Sequence, residues 1–506
     1  MTARRTILPL LCLLLILGGC APAGDQGGED PRLVAYKVPD DPTVSFIVWF
    51  KVGSQNDPPG KEGLAALTGA LISQGSTTDN SYEDILHKLY PLASSYDVRV
   101  DKEMTTVSGR THRDNIDKYF PLFTAAYLKP AFKAEDFERL RSDQKNFIEK
   151  TLRYASDEEL GKAALTSFIF ENTPYAHPIS GTVEGLEAIT LDDVKSFYAT
   201  HFTGANAVVG IGGGYDDDLR RRFLATLDQL PDGTPPAPPE VAPEPFAGRH
   251  VLLVDKPDAD ASISFGFPID VRRGTREFYA LWIANSWLGE HRNSSSHLYQ
   301  VIRETRGMNY GDYSYIEAFP EGGFRQMPPT GVGRHHQIFE VWIRTLPNEQ
   351  ALFATRAALR ELTRLVEEGM SEDDFELTRA FLSKYHLHFA ETTLERLGYA
   401  VDDRFYGIDG EGHLERFGKM ISEITREEVN AAIKKHLQVK NLKFAIVTGD
   451  AEGLKAKILA DEPTPITYPT PPSAEVLAED EEIAKVPFEV SPENLRVVPV
   501  NEIFQR

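Results

Sequence analysis

Ile189-Thr190-Leu191-Asp192-Asp193-Val194, followed by His201 and Asn206, recurs as Ile424-Thr425-Arg426-Glu427-Glu428-Val429, followed by His436 and Asn441. The offset is 235 throughout (424 − 189, 436 − 201, 441 − 206), so the two segments match without a gap. Each runs into an apolar strand, Ala207 to Ile211 or Phe444 to Val447, and then a glycine-containing turn. Farther out, the strand-like runs Val44 to Val52 and Ala261 to Ile269 each lead into an apolar helix. The chain is an internal duplication, and 506 residues are enough for two such units.

Between the copies lies PDGTPPAPPEVAPEPFA, residues 231–247, which can be neither helix interior nor central strand and is read as a linker. It separates an N-terminal domain, 32–230, from a C-terminal domain, 248–461. Within the first, Asn80-Ser81 caps a helix to about Leu92, Asp114 to Leu128 and Glu135 to Leu152 have helical spacing, and Val98 to Arg110 alternates as one strand. Strands and helices come in runs rather than in strict βαβ order. The fold class is therefore α+β, each domain a mostly antiparallel sheet with helices on one face. Residues 462–506 are Pro-rich and acidic; they read as an extended tail with one final strand, Leu495 to Val500.

At the other end, Arg4 and Arg5 precede the apolar run Ile7 to Leu17, too short to span a bilayer and flanked as an export signal is. The run ends in Leu17-Gly18-Gly19-Cys20, which resembles a bacterial lipobox. That resemblance implies a signal peptide over 1–19, lipidation of Cys20, a tether over 20–31 and residence in the bacterial cell envelope, facing the periplasm. Ala21, where an Asp would retain the protein at the inner membrane, favours the outer membrane. With Cys12 removed, Cys20 is the one remaining cysteine, so no intramolecular disulfide is available. A net charge of −22 excludes the clustered cations that nucleic-acid binding needs, whereas 41% hydrophobic and 26% charged residues suit a globular chain.

Val52-Gly53-Ser54-Gln55-Asn56-Asp57-Pro58-Pro59-Gly60-Lys61-Glu62-Gly63-Leu64-Ala65 resembles the strand–turn–helix of the insulinase and processing-peptidase family. The resemblance extends over about Arg32 to Asp461 and takes in Tyr175 to Thr182 and Leu253 to Pro257. It implies two homologous domains of the processing-peptidase type, forming one half of a clam-shell. In that family the helix carries an inverted zinc motif, H-x-x-E-H, with two ligands and a general base on one face. The matching positions here are Ala66, Gly69 and Ala70, none of which can bind a metal or move a proton. The family's third ligand corresponds to Glu149, but one carboxylate cannot hold a catalytic zinc, and Glu149 reads as a solvated helix-face acid. No metal is expected in this chain.

Other candidates are weaker. His335-His336 sits before the alternating strand Ile338 to Ile343, and neighbours on a strand point to opposite faces; His386 and His388 sit two apart late in a helical stretch and diverge. Gly210 to Gly214 lacks the Lys-Ser/Thr of a phosphate loop and is a strand-ending turn. The C-terminal domain instead keeps Arg303 and Tyr310, seven apart, with Gly307 placed to stop the helix between them. In the family such a pair reaches the substrate carbonyl, so the resemblance implies a substrate-binding role. The expectation is a non-zinc subunit of a heterodimeric metallopeptidase, partnered by a zinc-bearing paralogue with an intact H-x-x-E-H motif and acting on peptides or unfolded segments. The alternatives are a non-enzymatic peptide-binding or scaffold lipoprotein, and a metalloprotease using rearranged histidines.

Overall fold

The computed structural model describes residues 30–506 except Glu321 and Phe324; the export signal and Cys20 lie outside the described residues. Among the described residues eleven strands form two sheets. The first contains β1 (Leu33–Lys37), β2 (Thr43–Phe50), β3 (Ser95–Val100), β4 (Thr105–His112) and β5 (Ala207–Gly213), in the order β1-β5-β2-β4-β3. The second contains β6 (Arg249–Asp255), β7 (Ala261–Ile269), β8 (Asp312–Tyr315), β9 (Gln337–Leu346), β10 (Leu442–Thr448) and β11 (Leu495–Pro499), in the order β11-β6-β10-β7-β9-β8. β1 runs parallel to β5, and β6 parallel to β10 and β11; the other pairs are antiparallel.

The duplicated segments owe their likeness to helix starts and strand starts. Thr190 and Thr425 are N-caps whose hydroxyls accept from the amides of Asp193 and Glu428, and each acid bonds back to its cap. Just before the strand, Asn206 Nδ2 donates to the His201 carbonyl at 2.9 Å, while Asn441 Oδ1 accepts from the Gly248 amide at 2.9 Å. Local hydrogen bonding thus fixes the two helix starts alike, whereas the two asparagines have different partners.

One face of each sheet carries the helices of its own half and a separate hydrophobic core. The opposite face is covered by a helix from the other half, a layer the sequence reading did not include. Helix Asp157–Ile169 lies on β7, β9 and β10, and helix Thr393–Tyr406 lies on β1, β2 and β5. They begin 236 positions apart (393 − 157), so they are corresponding helices exchanged between the halves. Small residues let helix Thr393–Tyr406 approach β5: a Cβ on Gly210 would meet Val401 at 3.0 Å, and one on Gly212 would meet Thr393 at 3.1 Å.

Two local expectations differ from the structure. Val98 to Arg110 is not one strand but a hairpin, because Asp101-Lys102-Glu103-Met104 turns the chain, closed by the Asp101 amide on the Met104 carbonyl at 2.8 Å. The tail is not extended throughout: Ser473 caps a helix, Ala474–Ile483. Its acids are drawn in by distant arginines, Arg306 reaching Asp480 at 2.8 Å and Glu479 at 2.7 Å. Beyond β11 the chain crosses to the first half, where the Val183 and Glu184 amides donate to the Phe504 and Gln505 carbonyls and Arg153 donates twice to the Ile503 carbonyl.

Candidate functional site

Helix Leu64–Gln74 is apolar on nearly every side because it is packed on several sides, with β3 on one and helices Ala134–Asn146 and Leu191–His201 on others. Its first-turn donors are satisfied by Asp57, whose carboxylate accepts from the Gly63 and Ala65 amides at 2.7 Å each. Ala66 and Ala70 face a cleft of 660 Å³. Gly69 is turned against β3, where an added Cβ would lie 2.6 Å from Val100 Cγ2 and 3.2 Å from Val98 Cγ1. Two methyl groups and a hydrogen offer zinc no donor, and the volume a residue-69 side chain needs is already filled. Glu149 is half-buried, in a π-helical turn over Phe147–Leu152. Among the described residues no group of three or more His, Cys, Asp or Glu could hold a metal ion. The residues present do not fit the metal.

The cleft lies between the halves. Its walls come from β3 and the turn after it, from helix Asp157–Ile169, from Ala176 to Ser180, and from β9 with the residues before it. The turn Asp101-Lys102-Glu103 links the halves. Asp101 takes two bonds from Arg334, at 2.5 and 2.9 Å; Glu103 accepts from the His335 amide and Nδ1, both at 2.6 Å, and from the Tyr175 hydroxyl. Burial would raise the Glu103 carboxyl, but His335 and Tyr175 hold it below the usual range. Lys102 donates to the His177 carbonyl; burial, reinforced by Arg334, pushes its ammonium down to about 7. Burial also pushes His177 down to about 3 and Asp57 up to about 8. The sequence signal for this turn was three consecutive charges interrupting an alternating strand.

His335 is thus a latch residue, and His336 packs edge-on against Tyr175 at 5.6 Å. His386 Nδ1 is bonded to its own helix at the Leu382 carbonyl, 3.0 Å, and His388 pairs with Glu391 at 3.0 Å on the surface. Gly210 to Gly214 is not a turn over most of its length: Gly210 to Gly213 are strand residues of β5 paired with β1 and β2, the lack of side chains at Gly210 and Gly212 leaving room for helix Thr393–Tyr406, and only Gly214 lies past the strand. Gly307 does stop a helix, with φ of +64° and its amide on the Arg303 carbonyl at 2.8 Å. Arg303 touches Glu304 at 3.3 Å and lies 6.0 Å from the Tyr299 ring, while its buried Nε has no hydrogen-bond partner. Tyr310 is 77% exposed. Neither residue lines the cleft, so the structure does not bring them to Ala66, Gly69 and Ala70.

Comparison with known proteins agrees with this architecture. Residues 32–183 match the model of the insulinase family (peptidase family M16), and residues 188–382 match that of the peptidase M16 inactive domain. An uncharacterized zinc protease of Streptomyces coelicolor is 24% identical over 74% of this chain and 74% of its own length. A non-peptidase homolog of Helicobacter pylori is 23% identical over 79% of this chain and 87% of its own. In fold, the chain is similar to the crystal structure of a peptidase M16 inactive domain from Pseudomonas fluorescens, with a TM-score of 0.72 and 21% identity, covering 82% of this chain and 95% of that one.

Proposed function

The chain belongs to the insulinase family, peptidase family M16, and from that premise we propose that it is the non-zinc subunit of a heterodimeric peptidase. A paralogue with an intact H-x-x-E-H motif supplies the metal and the general base. This chain supplies Arg303 and Tyr310, a guanidinium and a phenol hydroxyl, as donors to the carbonyl oxygen of the bound peptide. One observation carries the reading: the pair stands outside the chain's own cleft with Tyr310 largely exposed, free to be offered to a second chain. β3, the edge strand of the first sheet that lines the cleft, is available for an extended peptide to join as an added strand. Cys20 would tether the assembly to the cell envelope, facing the periplasm and most naturally from the outer membrane.

The test is to co-purify the chain with such a paralogue and measure turnover of unfolded peptides. Arg303→Ala should lower kcat by about 10²-fold, as removal of one oxyanion donor does. Unchanged turnover would refute the assignment. The isolated chain should carry no stoichiometric zinc and should not cleave peptides in a chelator-sensitive way.

A second reading, peptide binding or scaffolding without turnover, is favoured by the cleft being complete within one chain. It predicts peptide binding by the isolated chain and no partner-dependent cleavage.

A further inference from the structure

β9 alternates: Phe339, Val341 and Ile343 enter the core of the second half, while Ile338, Glu340 and Trp342 face the exchanged helix and the cleft. Glu340 is out of place among them. Only 9% of it is exposed, it contributes to the cleft wall, and its Oε1 has no hydrogen-bond partner. Buried polar atoms are nearly always paired, and leaving one unpaired costs about 1–3 kcal/mol, more for a charge.

The neighbouring cations are already engaged. Lys162 is bonded to Glu159 at 2.9 Å and lies 4.4 Å over the Trp342 ring; Arg334 is held by Asp101. Burial pushes the Glu340 carboxyl up to about 7, opposed by Lys162 and the Ser264 hydroxyl and reinforced by Glu159. The fold therefore keeps an acid at a cleft wall with no cation bonded to it, Lys162 acting on it only through space. A single carboxylate without two further ligands is not a metal site, and a positively charged donor arriving with a ligand would satisfy it directly.

We propose that Glu340 is a specificity-determining residue that receives a cationic nitrogen, guanidinium or ammonium, of a peptide lying in the cleft. The proposal rests on the reading of this chain as a peptide-binding subunit and adds the chemical class of the group it selects. Arg and Lys side chains and a free peptide N-terminus share that chemistry. Ile338, two positions away on the same strand face, lines the cleft and supplies apolar surface for the stem of a long cationic side chain.

The experiment is fluorescence anisotropy on the full chain with labelled, N-acetylated decapeptides that differ only in a central Arg or its neutral isostere citrulline. The Arg peptide should bind at least about tenfold more tightly, the weight of one charge-assisted hydrogen bond. Glu340→Gln should bring that ratio close to one and leave citrulline-peptide affinity unchanged. If removing the acetyl group tightens the citrulline peptide in the parent but not in Glu340→Gln, the N-terminal ammonium is the source of the cation. Equal binding of both acetylated peptides and of the unacetylated one overturns the role of Glu340 and leaves peptide binding standing. Binding of no peptide at all overturns the reading beneath it. Should Glu340→Gln fail to fold, Lys162→Met, which removes the competing cation, should widen the Arg-to-citrulline ratio; an unchanged ratio overturns the proposal.

Discussion

Replacing Gly69 by Ala should destabilise this protein, although glycine-to-alanine changes inside helices usually do the opposite. Alanine gains about 0.5–1 kcal/mol over glycine in a helix interior through backbone entropy. Here the new Cβ would lie 2.6 Å from Val100 Cγ2 and 3.2 Å from Val98 Cγ1, where contact distances near 4 Å are needed. Val100 is β-branched and stiff at χ1, so it cannot swing clear; β3 must shift, at an overpacking cost of about 1–3 kcal/mol. The net expectation is a loss of about 0.5–2 kcal/mol. β3 is bonded only to β4 in its sheet, which lets it give a little and keeps the cost from the top of that range. In a Val100→Ala background the 2.6 Å clash is gone and the remaining 3.2 Å approach to Val98 Cγ1 needs a shift of only a few tenths of an ångström, so Gly69→Ala should be close to neutral or stabilise by up to about 0.5 kcal/mol. Urea unfolding of the four proteins, followed by far-UV circular dichroism and compared as midpoints, measures the coupling. If Gly69→Ala stabilises the protein with Val100 present, or if the two changes are additive, the volume beside residue 69 is not closed as argued. The same geometry predicts that Gly69→Glu, at the position the family gives to the general base, destabilises the protein while Val100 is in place, so that group cannot be restored by substituting it alone.

Arg273, buried to 2% exposure between Glu317 at 2.9 Å and Asp402 at 3.4 Å, leaves two buried acids uncompensated when replaced; Arg273→Met should cost about 3–5 kcal/mol, measured by denaturant unfolding. Truncation after Pro499 removes the carbonyls that hold the Val183 and Glu184 amides and Arg153, so hydrogen exchange at those two amides should accelerate by far more than at β2; equal protection would show that the tail is not a staple. His177 is held neutral in the folded state, its value depressed from 6.5 to about 3 by burial. Its contribution to stability is complete above pH 6.5 and is lost as pH falls from there towards 3, because the unfolded imidazole takes up a proton that the folded one refuses. His177→Gln should flatten that part of the stability profile, and an unchanged slope would show that His177 is not its source.

The residues themselves settled what depends on near neighbours. Thr190 and Thr425 announce capped helices three residues before their acids, Gly307 announces a helix stop, and the nearly unbroken apolar run Val44 to Val52 announces a buried strand, because capping and local composition act over a few positions. The lack of a metal donor at Ala66, Gly69 and Ala70 is likewise a property of side-chain chemistry and needs no coordinates. Even there the resemblance was necessary to say which positions mattered. The Val98 to Arg110 run misled because a hairpin of two alternating strands looks like one long strand unless the charges of Asp101 to Glu103 are read as a turn.

Only the tertiary structure decided the rest. Helices Asp157–Ile169 and Thr393–Tyr406 are amphipathic in ordinary ways, and nothing in their spacing says that each covers the opposite half's sheet. Glu340 is one acid in an apolar strand until packing removes the water and the counter-ion from around it. The space that β3 takes beside Gly69 is set by residues about thirty positions away, and the anchorage of Ile503 and Phe504 by residues more than three hundred away. Such pairings depend on which surfaces meet when the whole chain closes. A local pattern carries the propensity of a segment to become helix or strand; it does not carry the identity of the segment that will be pressed against it.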